Sequence, residues 1–132
     1  MLSIEAEHLQ LVKNMVTAIA TRNRDAVEEC LAPDVVLNVP GSTLVSGSFK
    51  GLDEVMEALG RFAEMGGDGL RIHLHDVMAN DQHGIVMYDV KAERDGKTIA
   101  YSHIDIYHFR DGKIREIIGC PHDVGAFEKL YG

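Results

Sequence analysis

Residues 95–114 read DGKTIAYSHIDIYHFRDGKI, a run bounded at each end by an Asp-Gly pair. A two-residue turn between paired strands needs positive φ at both central positions. Glycine adopts that conformation freely and aspartate tolerates it, so Asp-Gly between alternating segments marks a hairpin. Residues 97–110 therefore form a strand with a hairpin at each end. Extending the same reading outward, with Asn80-Asp81 as an earlier turn, predicts a meander of four strands at about 70–79, 84–94, 97–110 and 113–120.

Before Leu70 the period changes from 2 to 3.6. Leu52, Val55, Met56, Leu59, Phe62 and Ala63 make one helical stripe that starts after Gly51 and closes at Gly66-Gly67. Upstream, Val35-Val36-Leu37-Asn38-Val39 is β-branched and stops at Pro40-Gly41, which reads as a strand carrying Asn38 close to a turn. Residues 5–21 space Leu9, Val12, Val16 and Ile19 as an amphipathic helix, and Asp25 to Leu31 gives a shorter one that ends where Pro33 forces Ala32 out of the helical region. Val124, Phe127, Leu130 and Tyr131 predict a terminal helical turn packing back on the body. Helices first and a long meander after them give an α+β domain spanning 1–132, with helices on one face of the sheet and a pocket between the layers.

Side chains alternate along a strand, so Tyr101, His103, Asp105 and Tyr107 share one face of 97–110, while Ala100, Ser102, Ile104 and Ile106 share the other. Alternation alone allows two assignments: the polar face lines a cavity, or it meets solvent and Ile104 and Ile106 form core. A two-residue turn at Asp95-Gly96 sets Tyr88 opposite His103 on the same face. After Asp111-Gly112, an ideal turn pairs Asp105 with Ile118, whereas one bulged residue brings Ile117 and Gly119 to the Asp105 face; both registers stay open.

The 132 residues carry 13 basic and 21 acidic side chains, a net charge of −8 that repels phosphate backbones and anionic lipid surfaces. Nucleic acid and membrane are therefore not expected partners. No apolar run approaches the ~20 residues of a bilayer span. The acidic start, Met1-Leu2-Ser3-Ile4-Glu5, lacks the features of a secretory signal, and the expected location is cytoplasmic. Cys30 and Cys120 are far apart and read as reduced core thiols. His73 and His75 fall on one face of the first meander strand, but without a convincing third and fourth ligand they do not make a metal site, and no metal or cofactor is expected. Gly66-Gly67-Asp68-Gly69 follows a helix where a phosphate-cradling loop precedes one, and no Gly-x-Ser-x-Gly elbow is present.

The order helix, short helix, Ala32-Pro33-Asp34 into a strand, Phe49-Lys50-Gly51 into a long helix, then a meander containing Phe109-Arg110-Asp111-Gly112-Lys113-Ile114 resembles the SnoaL-like and ketosteroid isomerase-like branch of the nuclear transport factor 2-like superfamily. That resemblance implies a cone-shaped, curved antiparallel sheet wrapped around the N-terminal helices with one central pocket. It turns the Asp105 face inward, and by the resemblance Asp105 matches an oxyanion-binding acid of ketosteroid isomerases and an acidic member of the limonene epoxide hydrolase site. His103 falls where those hydrolases carry an arginine, and Asn38 resembles their water-orienting asparagine. Two carboxylates of related enzymes fall at Val39 and near Gly119, leaving His122 and Asp123 as the nearby polar residues able to substitute.

The function expected from the resemblance is a cofactor-independent acid/base enzyme of isomerase, cyclase or hydrolase type, acting on a small, largely apolar carbonyl, enol or epoxide compound. Asp105 serves as acid or base with His103 as its tuning partner, and Asn38, Tyr88, Tyr101, Phe62 and His122 line the substrate pocket. The alternative is a non-catalytic small-molecule-binding or assembly protein of the same fold, which the residues Val39 and Gly119 favour. The outer face with Ser102, Ile104 and Ile106 is expected to form a homodimer.

Overall fold

The computed structural model describes residues 2–67 and 69–132. Its elements run α1 (Ile4–Ala20), α2 (Arg24–Cys30), β1 (Leu31–Val39), β2 (Gly47–Lys50), α3 (Leu52–Gly66), β3 (Arg71–Ala79), β4 (His83–Arg94), β5 (Lys97–Arg110), β6 (Lys113–Pro121) and α4 (Val124–Tyr131). The expected α+β architecture is present: helices cover one face of a single curved sheet of order β2-β1-β6-β5-β4-β3. No helix among the described residues is long and apolar enough to cross a membrane.

The sheet is mixed, which corrects the expectation of a wholly antiparallel one. β1 and β6 run parallel, with Leu37 beside Ile117. A parallel pair needs a long crossover, and here α3 and the whole β3–β5 meander supply it. β2 also escaped the sequence reading, because four residues are too few to display a period. Its register pairs, such as Leu37 with Phe49, extend the sheet edge, and Gly51 at φ 89° then turns the chain into α3 while its N–H donates to the Val35 carbonyl at 2.8 Å.

Both Asp-Gly hairpins form, with positive φ at Asp95, Gly96, Asp111 and Gly112. The first sets Tyr88 opposite His103 and Val90 opposite Tyr101, as alternation requires. In the second, the register shifts between His108 and Phe109, so Asp105 stands opposite Gly119. The bulged register is the one realised, and Ile117 turns inward with Gly119. A further bulge between Leu74 and Asp76 makes His75 an extra residue in β3. Simple alternation therefore does not hold between His73 and His75, and both are exposed.

α1 buries His8, Val12, Met15 and Ala18, a stripe rotated from the expected line through Leu9 and Val16. His8 makes this possible by donating Nδ1–H to the Asn80 carbonyl at 2.9 Å and stacking on Phe109 at 4.0 Å. Gly84 lets the helix approach: a Cβ there would stand 2.7 Å from both Val12 and Phe109. Ser3, Asn23 and Asp123 cap α1, α2 and α4 by accepting from Ala6, Ala26 and Ala126.

Candidate active site

Between the concave face of the sheet and the helices lies a cavity of about 490 Å³. Its floor comes from β4 and β5, through Tyr88, Val90, Tyr101, His103, Asp105 and Tyr107, with Leu37 and Val39 of β1 and Ile117 and Gly119 of β6. The α1 and α3 faces and Tyr131 close the other sides, so the walls are mostly apolar and aromatic. Of the two assignments left open by alternation, the inward one holds for His103 and Asp105, while Ile104 and Ile106 lie on the outer face.

Asp105 is the acidic side chain lining the cavity among the described residues. Its Oδ1 lies 2.9 Å from His103 Nε2, and its Oδ2 accepts the Tyr88 hydroxyl at 3.0 Å. The Asp105 side chain keeps 16% exposure while that of His103 keeps 6%, so the carboxylate is the more accessible member of the pair. The imidazole is fixed by rings: Tyr88 at 5.1 Å, Tyr101 edge-on at 5.9 Å and Phe127 stacked at 6.4 Å.

Hydrogen-bond accounting assigns the tautomer. His103 Nδ1 is buried without a partner. A buried bare acceptor is tolerated better than an orphaned N–H donor, so Nδ1 is bare, Nε2 carries the proton, and that proton is donated to Asp105. Asp105 then receives two hydrogen bonds as a carboxylate. Burial pushes the Tyr88 and Tyr107 hydroxyls well above their ordinary range, with the Asp105 charge adding to the effect. Tyr101 is pushed up by burial and further by Tyr131. These phenols stay protonated and can only be donors or neutral acceptors.

The cavity gathers Tyr88, Tyr101, Phe62, His103 and Asp105, as expected. Two expected residues lie elsewhere. Asn38 alternates with its neighbour Val39, so with Val39 inward it points outward, where its Nδ2 donates to Glu116 Oε2 at 3.2 Å beside the His108–Glu116 contact of 2.6 Å. His122 is exposed beyond the end of β6, and Asp123 is engaged in capping α4, so neither replaces a missing carboxylate in the cavity. Val39 and Gly119, at and near which the resemblance implied carboxylates, do line it. The sequence reading missed Phe127, whose place against His103 depends on how α4 docks, and Arg22 and Arg24 at the rim.

Among the described residues, no group of three or more His, Cys, Asp or Glu side chains is arranged to hold a metal ion.

The family model of the SnoaL-like domain matches residues 12–117. An uncharacterized protein of Mycobacterium tuberculosis (strain ATCC 25618 / H37Rv) is 30% identical over 124 residues, covering 93% of this chain and 95% of that protein. Among solved structures, Bal32a from a soil-derived mobile gene cassette superposes with a TM-score of 0.91 at 18% identity, covering 98% of this chain and all of its own. A Xanthomonas campestris protein of unknown function with a cystatin-like fold gives 0.84 at 25% identity, covering 93% and 96%. A candidate SnoaL-like polyketide cyclase from Jannaschia sp. CCS1 gives 0.75 at 13% identity, covering 96% and 93%. With the helix-packed curved sheet, the cavity beneath it and a family match across most of its length, the chain belongs to the SnoaL-like domain family.

Proposed function

We propose that this protein is a cofactor-independent acid/base enzyme that moves a proton on a small, largely apolar carbonyl, enol or epoxide compound, with Asp105 as the general base. The observation that carries the reading is the setting of Asp105: an acidic side chain in a mostly apolar cavity, with both oxygens held by donors and its carboxylate still open to a ligand. The carboxylate takes a proton from the carbon next to a carbonyl and returns it at another position, while a protonated phenol such as Tyr101 donates to the oxygen on which charge develops. His103 positions Asp105 through the hydrogen bond from its Nε2.

Proton abstraction is measurable without knowing the natural substrate. Incubating the protein with a panel of cyclic ketones and 1,3-diketones in D2O, followed by proton NMR, is expected to show exchange next to the carbonyl that Asp105→Asn abolishes. Exchange at the buffer rate across the panel counts against the enzyme. It favours a second reading, a binding protein of the same fold, for which the acid-free cavity positions Val39 and Gly119 speak.

A further inference from the structure

The cavity differs in charge from end to end. His103, Tyr107 and Ile117 at its floor are buried, whereas the lining becomes exposed at Ala20, Arg22, Arg24, Gly60, Arg71 and Ile72, which mark the mouth. Half of these mouth residues are arginines, in a chain of net charge −8. Asp105 is the only acidic side chain lining the cavity among the described residues.

Arg22 is distinguished by its backbone. Among the described residues, three non-glycine residues have positive φ: Arg22 at 53°, Asp95 at 54° and Asp111 at 50°. Both aspartates belong to Asp-Gly hairpins, where the turn demands that conformation. Arg22 instead closes α1: its N–H donates to Ile19 at 3.1 Å and the Asn23 N–H to Ala18 at 2.9 Å, the paired bonds of a helix end built around a left-handed residue. Glycine is the usual occupant there, and a side chain strains it. Arg24 also borders an outer depression with Asp53, Glu57 and Glu64, and Arg71 donates to the Leu70 carbonyl, so the argument stands on Arg22.

From this we infer that the cavity takes an amphiphilic carboxylate: an apolar ring or chain inserted toward Asp105, with its carboxylate left at the mouth against Arg22. A guanidinium fork matches a carboxylate through two parallel hydrogen bonds. The reverse orientation would press the anion against the Asp105 carboxylate, so charge alone sets the direction of entry and brings the uncharged end to the acid/base centre. The inference rests on the cavity being the ligand site proposed above, and it is independent of turnover.

Isothermal titration of the full chain with two matched pairs, 2-naphthoate against 2-naphthamide and decanoate against decanamide, tests it in wild type, Arg22→Gly and Arg22→Gln. Each carboxylate is expected to bind wild type roughly tenfold tighter than its amide, the scale of one charge-assisted hydrogen bond. That preference should shrink with added salt and fall toward unity in both variants, while Arg22→Gly melts no lower than wild type because glycine suits the backbone. A preference that survives in both variants overturns the role of Arg22. Equal binding of carboxylates and amides to wild type overturns the anion inference and leaves the ligand cavity standing. If no member of either pair binds at millimolar concentration, the inference and the ligand-site reading fall together.

Discussion

The imidazole of His103 occupies the space that a side chain at Gly119 would need: a Cβ placed there would lie 3.3 Å from Nε2 and 3.5 Å from Cε1. Gly119 on β6 stands directly opposite Asp105 on β5, so the space beside Asp105 on the neighbouring strand is taken by the imidazole that holds it. Gly119→Ala must displace that ring by a few tenths of an ångström. The expected loss is about 1 kcal/mol, at the low end for overpacking, or a fall of about 3–6 °C in melting temperature. In the His103→Ala background the loss should disappear. An equal loss with and without the imidazole would show that the contact is not its cause.

Alkaline titration follows from the tyrosines. Burial raises all four hydroxyls, those of Tyr88, Tyr101, Tyr107 and Tyr131, above the ordinary value of 10.0. A raised folded value means that the folded chain holds protons which the unfolded chain releases once the pH passes about 10, so this contribution is complete below that pH and is lost above it. Tyrosinate absorbance should therefore appear in one step together with loss of the far-ultraviolet dichroism. Tyrosinate forming near pH 10 with the dichroism intact would place at least one hydroxyl in solvent.

Legibility in the sequence followed the length over which each local signal acts. The Asp-Gly turns fix register within a hairpin, so the Tyr88–His103 pairing could be read by counting. The same parity excludes Asn38 from a wall that contains Val39, because adjacent residues of a strand face opposite sides of the sheet. Asp123 precedes Val124 as a helix cap, a signal present in the sequence and not used. The bulge at His108/Phe109, the parallel β1–β6 pair and the seat of Phe127 on His103 depend on tertiary packing that no local pattern encodes.

We expect the outer face of the sheet to bury a second copy of the chain. Cross-strand neighbours Ile85 and Ile106, Met87 and Ile104, and Ile106 and Ile118 bring their side chains together there, all only partly buried in the monomer. Contiguous apolar surface of this kind is normally covered. Sedimentation should give twice the 14.6 kDa chain mass, and Ile104→Glu should return it to the monomer. Wild type sedimenting as a monomer at micromolar concentration would reject the dimer.

The tautomer of His103 decides whether Asp105 works as base or acid. With Nε2 protonated, Asp105 is a carboxylate accepting from His103 and Tyr88; with Nδ1 protonated, the proton between the pair sits on Asp105, which becomes a donor. The second arrangement leaves a buried Nδ1–H without a partner, at a cost of about 1–3 kcal/mol. Nitrogen-15 spectra of ring-labelled protein, with the His103 signals assigned by their loss in His103→Gln, should show a protonated Nε2 and a bare Nδ1. Asp105→Asn should keep this pattern, because the amide oxygen can accept from Nε2–H while its NH2 donates to the Tyr88 oxygen. The variant then stays folded with its imidazole in place, and any loss of exchange reports the missing base. A protonated Nδ1 with a bare Nε2 in wild type would reverse the roles and make Asp105 the proton donor.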